Sequence, residues 1–117
     1  AYQLNGDREL LYDIGDCMYE LGRYGEAIPK FDEYLSTANP EENGRYLALY
    51  TRAICIAQTG EIDQGIQDLK RLKYEFPTLA DSIQHTIDQC ISEKKRVEED
   101  RKKTRKRKTG QPMNLRK

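Results

Sequence analysis

One histidine, three cysteines and twenty carboxylates are the residues from which this 117-residue chain could build a reactive site. His85 has no second histidine, CxxC pair or HExxH motif to join it, so no metal site is expected and a solvated surface histidine is. Asp13 with Asp16 and Asp32 with Glu33 are spaced like acid and base pairs. General acid–base work needs an apolar setting that moves one pKa and a nucleophile to act on, and neither accompanies these pairs; solubility is the expected role. Gly15, Gly22, Gly25, Gly60 and Gly65 follow no strand and meet no lysine with serine or threonine, so they are packing and turn glycines, not a phosphate loop. The expectation is a non-catalytic protein with no catalytic residues, no metal and no cofactor. Cys17, Cys55 and Cys90 are odd in number and set among apolar helix positions, as reduced structural cysteines are. That favours a reducing intracellular compartment: the cytoplasm first, with the nucleus or an organelle interior as alternatives.

The remaining chemistry is charge. The formal net charge is zero, yet residues 1–92 carry 8 basic and 16 acidic side chains (8 − 16 = −8), and residues 93–117 carry 12 and 4 (12 − 4 = +8). An acidic body therefore ends in a basic tail, a polarity that serves a partner. Seven of the eight residues from Arg101 to Lys108 are basic, namely Arg101, Lys102, Lys103, Arg105, Lys106, Arg107 and Lys108. So dense a cluster suits a polyanion: RNA or other nucleic-acid phosphates, anionic lipid, an acidic protein surface (this chain's own body included) or the nuclear import machinery. A solvated, disordered tail has the same composition. No aromatic interleaves the run, so phosphate contact would be blind to base sequence.

The elements that must carry these residues are helices. An apolar fraction of 37% without tryptophan is modest, so burial must come from well-patterned helices or neighbouring chains, and a large catalytic pocket is not expected. The longest apolar run, Ala53 to Ala57, is far short of a membrane span. No signal-peptide pattern opens the chain and residue 1 is alanine, which reads as a piece of a longer or processed product. Apolar residues recur at three and four through five segments. The spacing predicts helices from an Asp7 cap to Leu21, Gly25 to Ala38, Arg45 to Thr59 (the most buried) and Ile62 to Glu75, with a fifth opening near Pro77 or Thr78. From Ser92 the fifth keeps only Val97 as an apolar residue, while Glu98, Glu99 and Asp100 precede Arg101, Lys102 and Lys103 at helix-pairing distances. Gly110 and Pro112 are expected to break it and leave the end extended.

The second helix pair repeats the first. Gly15, Gly22, Ala27, Phe31 and Tyr34 share their offsets with Ala53, Gly60, Gly65, Leu69 and Leu72, and each unit closes on a proline, Pro40 or Pro77. The shift of 38 is a 34-residue unit with four residues inserted around Pro40 to Gly44. Small residues at 15, 27, 53 and 65 let paired helices approach, and glycines at 22 and 60 turn the chain. In "GDCMYELGRYGEAIPKFDEYLSTANP" and "AICIAQTGEIDQGIQDLKRLKYEFP" the chain resembles the tetratricopeptide repeat family over about residues 9 to 90. It departs where the family places a large early aromatic (Leu11 and Leu49 here) and a late alanine (Tyr34 and Leu72).

The resemblance implies an all-α fold, a short solenoid of tetratricopeptide-type helical hairpins, to which the charge pattern adds a long basic C-terminal helix and an extended end. It divides the chain into an N-terminal lead (1–6), two helix pairs with the start of a capping helix (7–91) and a basic extension (92–117). It also implies that the first helix of each unit lines a concave groove. On that face fall Tyr12, Asp16, Tyr19 and Glu20, then Leu47, Tyr50, Ile54 and Gln58. Such a groove suits a basic or amide-rich protein segment. The same residues are also placed to pack against an adjacent unit. Family members that clamp acidic chaperone tails carry lysine and asparagine where this chain has Tyr12 and Asp16, so that role is disfavoured. The reading is an adaptor or scaffold subunit of a multi-subunit or ribonucleoprotein assembly. An RNA-binding protein acting mainly through its tail, and a juxtamembrane adaptor meeting anionic lipid, are the alternatives.

Overall fold

The computed structural model describes the backbone of residues 2–37 and 42–116 and the side chains of 9–37 and 44–103. Five helices follow one another: α1 (Tyr2–Glu20), α2 (Tyr24–Leu35), α3 (Glu42–Gln58), α4 (Ile62–Glu75) and, after a 3-10 turn at Pro77–Leu79, α5 (Ala80–Arg116). Each helix packs on the next, giving two antiparallel hairpins and a fifth helix laid against α4.

The internal repeat is visible atom by atom at its turns. Gly22 and Gly60 both hold positive φ, 79° and 108°, a region that glycine enters without a Cβ penalty. The next residue closes each helix by bonding five residues back, Arg23 N–H to the Met18 carbonyl (2.8 Å) and Glu61 N–H to Ile56 (3.2 Å). Arg23 and Glu61 then start the second helices from almost the same backbone angles, φ −92° and ψ 66° against φ −91° and ψ 62°. A shift of 38 residues thus maps one hairpin turn onto the other.

Close approach depends on the small residues. Ala27 and Ala53 are 0% and 1% exposed. A Cβ built on Gly15 would press on the Phe31 ring at 3.0 Å, and one on Gly65 would meet the Ala53 carbonyl oxygen at 2.8 Å. Large residues fill the space left over: Phe31 and Leu69, at equivalent positions, are both fully buried, each worth about 2–3 kcal/mol of transfer free energy. The departure at Tyr34 is accommodated by its neighbours. Its ring lies 5.5 Å from Tyr12, and Gly44 at the start of α3 leaves room for its hydroxyl.

Several boundaries differ from the sequence reading. Helix α1 begins at Tyr2 instead of at an Asp7 cap, because nothing between Tyr2 and Asp7 forbids helix and Gly6 only weakens it. Helix α2 ends at Leu35, where Thr37 turns its hydroxyl onto the Tyr34 carbonyl (2.6 Å). The expected run to Ala38 is thus three residues too long, and the Pro40 stop falls outside the described residues. Helix α5 continues through Gly110 and Pro112 to Arg116, so the expected extended end is a correction: a proline removes one link of the ladder, and here the helix runs past it.

Candidate functional site

The residues expected to line a concave face come from α1 and α3, with α5 alongside. Tyr12 is half-buried, its ring edge-on to Phe31 at 5.9 Å, so part of it belongs to the α1–α2 core. Burial first, then the carboxylate of Asp16, the hydroxyl of Tyr34 and the carboxylate of Asp13, hold the Tyr12 hydroxyl above its ordinary pKa. Tyr19 packs on Tyr24 at 5.9 Å. Its pKa is raised by burial and then by Tyr24, Cys55, Glu20 and Tyr50, which places the α1 tyrosine beside α3. Tyr12 and Asp16 stand one helical turn apart on α1, and Tyr19 is next to Glu20, while Tyr50 lies on α3, which contacts α1. Ile54 is half-buried, Glu20 and Gln58 are exposed, and Leu47 keeps 37% of its surface in solvent.

Tyr50 does more than its sequence position announces. Its hydroxyl shares a 2.5 Å hydrogen bond with Thr86 of α5, and Thr86 in turn donates weakly to the Ser82 carbonyl at 3.4 Å. Its ring stacks on Tyr46 at 5.7 Å, and Tyr46 meets Phe76 edge-on at 5.1 Å. Tyr50 thus joins α3 to α5.

A polar staple between the units was not foreseen. Arg52 reaches Asp32 of α2 at 2.5 Å and Asp68 of α4 at 3.6 Å. Asp32 is therefore more than a solubilising acid, which corrects the reading of the Asp32–Glu33 pair. The sequence carries a signal: Arg52 stands 38 residues after Ile14, an arginine in an apolar register. Gln64 donates to the other oxygen of Asp68 at 2.9 Å.

Towards the C-terminus α5 stays on the body longer than its apolar pattern suggests. Lys94 donates to Asp63 at 2.7 Å, a bond that raises the lysine's pKa. Ile62, Val97, Glu98 and Arg101 line an open cleft of about 440 Å³ between the α3–α4 turn and α5. Arg96 pairs along its own helix with Glu93 (2.5 Å) and Asp100 (3.8 Å). Beyond these, Arg101, Lys102 and Lys103 are exposed. The side chains of Arg105, Lys106, Arg107 and Lys108 lie outside the described residues, although α5 carries their backbone.

His85 is exposed. Among the described residues no three histidine, cysteine, aspartate or glutamate side chains gather where they could hold a metal ion, and no helix is long and apolar enough to cross a membrane. Cys17, Cys55 and Cys90 are all free thiols. Burial pushes the Cys55 thiol up to about 11, the behaviour of a packed and unreactive cysteine.

A family model described as tetratricopeptide repeat matches residues 9–38 and 47–78, just over half of the chain. Its two segments coincide with the α1–α2 and α3–α4 hairpins. No curated protein and no solved structure matches the chain.

Proposed function

Because the chain belongs to the tetratricopeptide repeat family, whose repeats serve protein interaction, we propose that it is a non-catalytic adaptor with two working surfaces. The first is the face carrying Tyr12, Asp16, Tyr19, Glu20, Tyr50 and Ile54, which takes a basic or amide-rich protein segment. The carrying observation is that Tyr19 and Glu20 of α1 and Tyr50 of α3, on helices that contact one another, all stay outside the fully buried core. Tyrosine gives contact area at small entropic cost, and a carboxylate beside it selects lysine, arginine or amide donors. The second surface is the basic extension, which anchors the adaptor to a polyanionic part of a multi-subunit or ribonucleoprotein assembly. Exposure of Arg101, Lys102 and Lys103 at the end of the packed part of α5 supports it. The same exposure supports a second reading, in which RNA binding by the extension is the main activity. Anionic lipid is a third polyanion the charge suits. A reducing compartment, the cytoplasm first, fits three free thiols.

Affinity capture with three chains tests this: the intact chain, the Tyr19→Ala/Asp16→Lys variant, and the chain ending at Ser92, each with and without nuclease. The adaptor reading expects the groove variant to lose a protein that the shortened chain retains. Loss of every partner on shortening alone, all of it nuclease-sensitive, would replace the adaptor with the RNA-binding reading.

A further inference from the structure

Superposing the chain on itself by 38 residues exposes an uncovered face. Leu10, Ile14, Cys17 and Leu21 are spaced four, three and four apart, and Leu21 still bonds the Cys17 carbonyl through its N–H (3.0 Å), so all four share one side of α1. Their counterparts on α3 are Ala48, Arg52, Cys55 and Thr59. Over its first three positions that α3 face is covered: Ala48 and Cys55 are both 0% exposed and cluster with Ala27, Phe31 and Tyr34 of α2, and Arg52 pairs with Asp32 of the same helix, while Thr59 at its end is exposed. On α1 the corresponding side lies open, with Leu10 56% and Leu21 71% exposed and Cys17 exposed between them. The uncovered face is also the more apolar of the two, leucines standing where α3 has an alanine and a threonine.

The α2–α3 contact shows what kind of object covers such a face: another helix, presenting a stripe of large apolar residues. Charge narrows it further. At 100° per residue Glu9, Asp13, Asp16 and Glu20 fall within about 60° of one another, along one flank of the stripe. Glu9, Asp13 and Glu20 are exposed, and residues 9–20 contain no lysine or arginine. A second copy is a poor occupant. An antiparallel two-fold pair of α1 helices would bring both acidic flanks to the same edge, and a parallel pair would set each flank against the apolar Leu11 and Met18 side of the other. The chain's own basic helix matches the charge but carries only Val97 as an apolar residue from Ser92 to Lys108.

We propose that the Leu10–Ile14–Cys17–Leu21 face of α1 docks an amphipathic helix of a partner protein, apolar along one stripe and basic along the adjoining flank. The apolar stripe is distinct from the Tyr50 side of the molecule, while its acidic flank shares Asp16 and Glu20 with it; Leu10→Asp/Leu21→Asp therefore tests the stripe without touching the shared carboxylates.

Two designed helical peptides of about 18 residues test the proposal on the full chain. Both carry leucine at i, i+4, i+7 and i+11; one has lysine and the other glutamate along the neighbouring flank. Fluorescence anisotropy is expected to show the lysine peptide binding at least about tenfold more tightly than the glutamate peptide, an advantage that shrinks with added salt. Leu10→Asp/Leu21→Asp, at exposed positions that leave the fold intact by circular dichroism, is expected to weaken the lysine peptide at least about tenfold. The bound peptide is expected to slow alkylation of Cys17, read by mass spectrometry of the labelled thiol. Absence of binding, equal binding of both peptides, or binding indifferent to the leucine substitutions would overturn the proposal. So would sedimentation showing a dimer of the chain that Leu10→Asp/Leu21→Asp disperses, since the occupant would then be a second copy.

Discussion

Gly65 of α4 faces the backbone of α3 so closely that a Cβ there would stand 2.8 Å from the Ala53 carbonyl oxygen and 2.8 Å from the Ala57 methyl carbon. A backbone oxygen has nowhere to go without moving its helix. Gly65→Ala is therefore expected to lower stability by about 1–3 kcal/mol despite alanine's better helix propensity. Gly25, also in a helix but with nothing within 4 Å of its would-be Cβ, is the control. Gly25→Ala is expected to raise stability by about 0.5–1 kcal/mol. Urea titrations of the two variants should move in opposite directions; a shared direction would show that propensity, not hairpin approach, governs these sites.

Arg52 stands between two acids on different helices, and Asp68 is the more enclosed of them, with one carboxylate oxygen buried and not hydrogen-bonded. Arg52→Ala leaves that charge without its nearest cation and is expected to cost about 1–2 kcal/mol. Replacing both, as Arg52→Leu with Asp68→Leu, is expected to recover most of the loss, because an apolar pair needs no counter-charge. A double-mutant cycle by denaturation gives the coupling; additive effects would mean that the staple contributes nothing.

What the sequence made legible was whatever recurs. The turns at Gly22 and Gly60, the small residues at 27, 53 and 65 and the buried Phe31 and Leu69 repeat at one offset, so each unit served as a check on the other. What it hid was specific to one copy. Arg52 has an isoleucine as its counterpart, and its two acids lie 20 residues before and 16 after it, a relation no helical period contains. The Tyr50–Thr86 bond joins residues 36 apart on helices that are not consecutive. Helical spacing sets Tyr12 on the groove face that the resemblance implies and carries no sign of its ring lying 5.5 Å from Tyr34, which stands where the family has an alanine. At the C-terminus the proline rule predicted an end that one missing hydrogen bond did not impose.

The Cys55 thiol supplies a pH dependence. Its folded pKa, raised by burial from 9.0 to about 11, exceeds the unfolded value. Its contribution to stability is thus fully present below about pH 9 and is lost as pH rises towards 11, the unfolded chain releasing its proton first. Burial raises Tyr12, Tyr19 and Tyr46 in the same direction. Stability is expected to fall above pH 9, with Cys55→Ala flattening the part between 9 and 10 by about 1 kcal/mol. Denaturation midpoints at pH 8, 9 and 10 decide this, and an identical pH profile for the variant would assign the whole fall to the tyrosines.

The extension should bind RNA through charge alone. If about five basic residues each neutralise a single-strand phosphate, the logarithm of affinity falls with the logarithm of salt at a slope of roughly −3 to −4. Reversing Lys102, Lys103, Lys106 and Lys108 to glutamate is expected to abolish binding while the circular dichroism of the repeat body is preserved. No binding at low salt, together with a salt-sensitive dimer by light scattering that the same variant loses, would make the acidic body the polyanion.

The central claim is that the face bearing Tyr19, Glu20 and Tyr50 takes a protein segment of basic or amide-rich character. Selection of a random peptide library on the intact chain, with the selected peptides titrated against Tyr19→Ala/Asp16→Lys, tests it most directly. Enrichment of lysine, arginine, asparagine and glutamine is expected, with at least about a tenfold loss of affinity in the variant. Enriched peptides that are acidic, or that bind the variant as tightly as the native chain, would contradict it.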